Sequence, residues 1–140
     1  MSNNKKVYIL PCSGIGKVFG SIGREAAYIV VDELLKNKTA LACLPEIVKG
    51  KEEVIKQIKD NYVIAIDGCP LKCSFNNLEK TIGKVDATFM TTDIVRENRD
   101  LKPEQKIIPI GENTKKLAQK LAEKIARKAD ELLKNGEVNE

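Results

Sequence analysis

The chain contains no histidine and no tryptophan, and its aromatic residues are three tyrosines and three phenylalanines. Without histidine there is no mixed Cys/His zinc site, no Cys–His catalytic pair and no zinc hydrolase built on histidine ligands. So few aromatics argue against a nucleic-acid surface on which bases stack. No segment approaches the roughly 18 apolar residues of a membrane span. Neither nucleic acid nor a membrane is therefore an expected partner. The opening MSNNKK lacks the apolar region of a secretory signal. The expected compartment is the cytoplasm, where thiols stay reduced.

Internal repeats, low-complexity stretches and linkers are also missing, so residues 1–140 read as a single domain. A chain of this length can bury about two thirds of its unfolded surface and needs no disulfide staples. The net charge of +4 comes from lysines that alternate with glutamates along helix faces, the pattern of a solvated surface.

The chain has four cysteines, Cys12, Cys43, Cys69 and Cys73. Each follows a segment that reads as a strand. Val7 to Pro11 and Tyr62 to Ile66 are apolar runs of buried-strand length, and Thr39 to Cys43 and Ala87 to Thr91 are further strands. Ile107 to Ile110 is a fifth, short candidate. Helices are expected over Ser21–Lys36 with Ser21 as its cap, over Glu52–Lys59, from Pro70 to about Ile82, and over Asn113–Lys134 with Gly136 as its stop. A helical turn is expected at Asp93–Asn98, and residues 99–106 read as the most mobile loop. Strands separated by helices pair in parallel through right-handed crossovers. Ligands of such sheets bind beyond the carboxyl ends of the strands, where these thiols fall.

Four thiols in a reducing compartment point to metal binding or redox work rather than to structural disulfides. If Cys69 caps the following helix, Cys73 lies one turn on, and the helix dipole lowers both thiol pKa values. Lys72 and the glycines after Cys12 add to a cationic setting for thiolate. Zinc accepts four thiolates in a tetrahedron with bonds of about 2.3 Å, and iron–sulfur clusters also use four cysteines. A cysteine can equally be a small buried hydrophobe, a reading that suits Cys43 at the end of an apolar strand. Cys73, inside a helix turn, reads as the loosest of the four ligands. Gly14-Ile15-Gly16-Lys17 is an incomplete phosphate loop, because Pro11 and Val18 stand where glycine and Ser or Thr are required. Asp67 is an acceptor supporting the site, a general base or, the preferred reading, a strand-end turn residue. Thr92 or Asp93 is expected to cap a helix, beside Thr91 at the same edge.

The blocks PCSGIG, ALACLPEI and AIDGCPLKCSFNNLE resemble the DGC-domain proteins, a family described as zinc-binding that carries four cysteines and an Asp-Gly-Cys signature, here Asp67-Gly68-Cys69. The resemblance covers about residues 7–98 and implies Cys12, Cys43, Cys69 and Cys73 as ligands. It departs at Leu44-Pro45-Glu46, where a small, often Gly-containing segment is expected. A shorter likeness, Gly68-Cys69-Pro70, is shared with hydrogenase small subunits and keeps an iron–sulfur cluster open. The expected fold is a three-layer α/β sandwich with a mostly parallel sheet of four or five strands, Rossmann-like or flavodoxin-like. The expected function is a four-cysteine metal site, zinc in the leading reading, structural or for storage and delivery. The alternatives are an iron–sulfur electron carrier and a thiol-based sulfur-transfer or redox enzyme.

Overall fold

The computed structural model describes residues 5–12, 18–69, 71–105 and 109–138. Four strands, β1 (Val7–Pro11), β2 (Thr39–Leu41), β3 (Tyr62–Asp67) and β4 (Ala87–Met90), form one sheet in the order β2-β1-β3-β4. All three pairings are parallel, with Val7 level with both Thr39 and Tyr62, and Asp67 level with Met90. β3 is buried along nearly its whole length because it lies inside the sheet and is covered on both faces.

Alternation along the two central strands divides the core. Val7, Ile9, Ile64 and Ile66 face a layer made by α1 (Val18–Ile29), α5 (Thr91–Glu97) and α6 (Glu112–Val138). Leu10, Val63 and Ala65 face α2 (Leu44–Lys49), α3 (Glu52–Lys59) and α4 (Cys73–Thr81). Burying each of the larger side chains stabilises the fold by about 1.5–3 kcal/mol. Ala26 and Ala27 of α1 and Ala118 and Ala122 of α6 are all fully buried, so small side chains meet where these two helices pack. The result is a three-layer α/β sandwich. From β1 the chain goes outward to β2, then returns across β1 to β3. The strand order therefore reverses at the carboxyl ends of β1 and β3, which opens a crevice there.

Several boundaries differ from the sequence expectation. The first helix starts at Val18, so Ser21 lies inside its first turns, buried and with no partner for its hydroxyl, and does not cap it. Its end widens into a π-turn, Val30–Leu34, closed by the Leu35 amide donating to the Val30 carbonyl at 2.8 Å. β2 stops at Leu41, and the segment after Cys43 is the short helix α2, with Pro45 in its first turn and Gly50 ending it in the left-handed region at φ 81°. α4 starts at Cys73 because Lys72 adopts φ 47° and ψ 54°, which no right-handed helix can include; Pro70 lies outside the described residues. α5 starts at Thr91, and neither Thr92 nor Asp93 caps it, since Met90 precedes its first turn without a side-chain bond. α6 continues through residue 136 to Val138 rather than stopping at the glycine. Residues 107 and 108 of the candidate fifth strand lie outside the described residues; residue 109 is in a turn and residue 110 forms an isolated bridge.

The loop before α6 is fastened. The Glu104 carboxylate accepts hydrogen bonds from the Asn113 amide at 3.1 Å and the Thr114 amide at 3.2 Å, two of the free donors of the helix start. It lies across Gly111, where a Cβ has no room. The Asn113 bond, foremost, holds the Glu104 carboxyl below its ordinary value of 4.5, with burial opposing and the Thr114 bonds adding. A depressed folded value means stability that is present above the ordinary pKa and is lost as pH falls through the folded one. Glu104→Gln is therefore expected to lower the urea midpoint at neutral pH, and the gap from wild type should shrink below about pH 4.5. A gap unchanged down to about pH 3 contradicts this role for the carboxylate.

Candidate metal centre

All four cysteines lie at the carboxyl edge of the sheet. Cys12 is the first residue after β1, and its amide donates to the Ile66 carbonyl at 2.9 Å, tying the exit of β1 to β3. Cys69 lies two residues past β3, and Cys73 opens α4. Cys43 lies two residues past β2, immediately before α2. None is in a disulfide; Cys43 is exposed and the other three are half-buried.

The loop joining Cys69 to Cys73 is held by Asp67. This carboxylate is 1% exposed and accepts from the Ser74 amide at 2.9 Å and the Phe75 amide at 3.0 Å. Those amides belong to the second and third residues of α4 and have no partner within the helix. Asp67 is thus an anion placed on the positive end of a helix dipole, a charge-assisted clamp across the loop. It is neither a simple turn residue nor a free base. Within the clamp, the Lys72 amide donates to the Cys69 carbonyl at 3.1 Å, and the Lys72 ammonium lies 5.9 Å from the centre of the Phe75 ring. Gly68 is required by space. A Cβ there would stand 3.1 Å from the Phe19 backbone carbon, 3.2 Å from the Gly20 nitrogen and 3.1 Å from the Thr91 hydroxyl.

Burial sets the electrostatics of Cys73. Burial, foremost, pushes the Cys73 thiol pKa up, and the charges of Cys12, Cys69 and Asp67 push the same way, against its own backbone bond. A helix N-terminus was expected to lower this pKa. It does not, because burial of the thiol and the neighbouring negative charges outweigh it. Cys73 also packs against the core layer that contains Leu78 and Ile47. It is therefore well anchored, in contrast to the looseness its place in the sequence suggests. The same charges show that Cys12 and Cys69 lie within electrostatic reach of Cys73.

Cys43 stands apart. Leu41 is level with Ile9, so Cys43 continues level with Pro11, across β1 from β3. With strands about 4.8 Å apart, the line of β2 is roughly 10 Å from that of β3. Its charge is felt by Lys51, whose pKa is raised first by the hydrogen bond and charge of Glu46 and in smaller measure by Glu53 and Cys43. Among the described residues, no three Cys, Asp or Glu side chains are gathered closely enough to hold an ion as they stand. The donor set still fits a thiophilic ion in its chemistry: four free thiols at one sheet edge, soft donors once deprotonated.

Thr91 is fully buried with an unpartnered hydroxyl, as is Ser74; Asp93 is exposed and pairs with Arg96 at 3.4 Å. The residues of the incomplete phosphate loop lie outside the described residues. A shallow groove of about 330 Å³ between α5 and α6 is lined by Glu97, Lys120, Lys124 and Arg127 among others and contains no cysteine. No helix is long and apolar enough to cross a membrane among the described residues.

Sequence comparison extends the match to the chain's larger part. A family model described as a DGC domain matches residues 8–121, from β1 into the middle of α6 and so beyond the 7–98 of the sequence resemblance. No curated protein and no solved structure matches the chain.

Asp67→Ala leaves the Ser74 and Phe75 amides without their acceptor and should cost about 2–3 kcal/mol in the metal-free protein, measured by urea unfolding. Gly68→Ala should cost about 1–3 kcal/mol, because two of its three close neighbours are backbone atoms of α1 and cannot rotate away. Wild-type stability in both variants contradicts this description of the loop.

Proposed function

The chain belongs to the DGC-domain family, and from that premise we propose that it is a metal-binding protein whose ion, zinc, is held by the thiolates of Cys12, Cys43, Cys69 and Cys73. The observation that carries this reading is the convergence of Cys12, Cys69 and Cys73. Two strand-end loops and one helix start place three thiols at one edge, where Cys12 and Cys69 lie within electrostatic reach of Cys73. Cys43 reaches the same edge from the neighbouring strand. Zinc takes four thiolates at about 2.3 Å, and metal binding offsets the electrostatic cost of ionising them.

Within this reading each part of the loop has a task. Asp67 holds the start of α4, where Cys73 stands. Gly68 lets the chain pass close to α1. Cys12, bonded to Ile66 through its backbone, keeps a fixed distance from the β3 exit. The ion supplies positive charge and joins the loops, in a structural role or for storage and delivery. Four free thiols suit the reducing cytoplasm, the compartment this reading implies.

Metal analysis of anaerobically purified protein tests the proposal. The expected result is about one zinc per chain in a colourless protein. Visible absorption with inorganic sulfide would instead establish an iron–sulfur cluster. Metal-free protein with cyanide-labile sulfur on one cysteine would establish sulfur transfer. Cys69→Ser and Cys73→Ser should each lose zinc, and full occupancy in either variant contradicts a four-thiolate site.

A further inference from the structure

We propose that the groove between α5 and α6 is a docking surface for an acidic helix of a protein partner, with two of the partner's carboxylates seated on Lys120 and Arg127. The groove contains no cysteine, and the proposal does not depend on the metal reading.

The groove, of about 330 Å³, has an apolar floor and charged walls. Ile94, 2% exposed, forms the floor. Glu97 and Asn98 line the α5 side, and Lys120, Glu123, Lys124 and Arg127 line the α6 side. The walls are tied in place. The Lys124 ammonium pairs with the Glu97 carboxylate, joining α6 to α5. The Asn98 side-chain amide donates to the Ile94 carbonyl at 2.9 Å and closes the end of α5. Glu123 accepts from the Gln119 side-chain amide at 3.1 Å. Lys120 and Arg127 are different. Both are exposed, and among the described residues no carboxylate forms an ion pair with either. They are the cations of this groove that the fold itself leaves unused.

The geometry of α6 sets what fits them. Lys120 and Arg127 are seven residues apart in one helix, so they share a side and stand about 10.5 Å apart along its axis. A partner helix with Asp or Glu at every seventh residue repeats that spacing. An apolar residue one turn from each acid would meet the Ile94 floor, the usual pattern of a helix laid in a groove.

Other occupants suit the lining less well. A nucleic-acid duplex carries a charge about every 1.7 Å and would press phosphates against Glu97 and Glu123. No aromatic side chain lines the groove for a base to stack on. A membrane surface takes up projecting apolar side chains, whereas Ile94 is buried. A second copy docked by the same groove would set one row of cations against another.

Fluorescence anisotropy with a labelled, end-capped peptide of about 20 residues, built on the heptad Glu-Ala-Gln-Leu-Ala-Gln-Ala, tests this on the full chain. Wild type should bind it, more weakly as salt rises, and should not bind the same peptide with lysine in place of glutamate. The double variant Lys120→Glu, Arg127→Glu should bind at least about tenfold more weakly. The double variant Lys56→Glu, Lys59→Glu, which changes net charge equally on α3 in the opposite layer, should stay within about twofold of wild type. In wild type, the amide signals of Ile94 and Asn98 should move on peptide addition, a readout that needs no variant to fold. Absence of binding, unmoved signals, or equal weakening in both double variants overturns the proposal. Tighter binding of duplex DNA or of phosphatidylserine vesicles through Lys120 and Arg127 overturns it in favour of those partners, and a wild-type dimer broken by Lys120→Glu overturns it in favour of a second copy.

Discussion

The carboxylate of Asp67, buried at the end of β3 and bonded to the Ser74 and Phe75 amides, is the interaction on which the site depends. A buried carboxylate is costly unless its charge is met by donors. Here the donors are the free amides of α4, which themselves need an acceptor. Each satisfies the other. Cys69 and Cys73 lie between Asp67 and Ser74 in the chain. The strained backbone of Lys72, the one described non-glycine residue at positive φ, is tolerated because both ends of the loop are fixed.

The sheet places this loop where it is useful. β1 and β3 are adjacent, parallel and buried, and the chain leaves them toward opposite faces of the sheet. The gap at their carboxyl ends is a consequence of right-handed crossovers on both faces. Cys12 and Cys69 flank that gap, and Cys73 approaches it from α4. The same clamp that orders the loop also occupies the first free amides of α4 with Asp67.

The strands and the layer order were legible because apolar runs such as Val7–Pro11 and Tyr62–Asp67 carry a strong buried-strand pattern. The α3 helix was legible to the residue through its inward Ile58 and flanking charges. What failed had physical reasons. The six-residue α2 is too short to show a period, although Pro45 and Gly50 mark its ends. The start of α4 depends on the left-handed Lys72, a conformation that tertiary ties impose and lysine does not advertise. Asp67 reaches across seven and eight residues, farther than any local capping rule extends. The cysteines could be gathered to one edge from the sequence, but the separation of Cys43 from the other three emerged only from the strand order.

The most direct test of the four-thiolate account is X-ray absorption at the zinc edge of the purified, metal-loaded chain. The account predicts a first shell of sulfur alone, four atoms at about 2.3 Å, with no nitrogen or oxygen contribution. A shell dominated by oxygen or nitrogen at about 2.0 Å, in a chain without histidine, would place the ion elsewhere and contradict it.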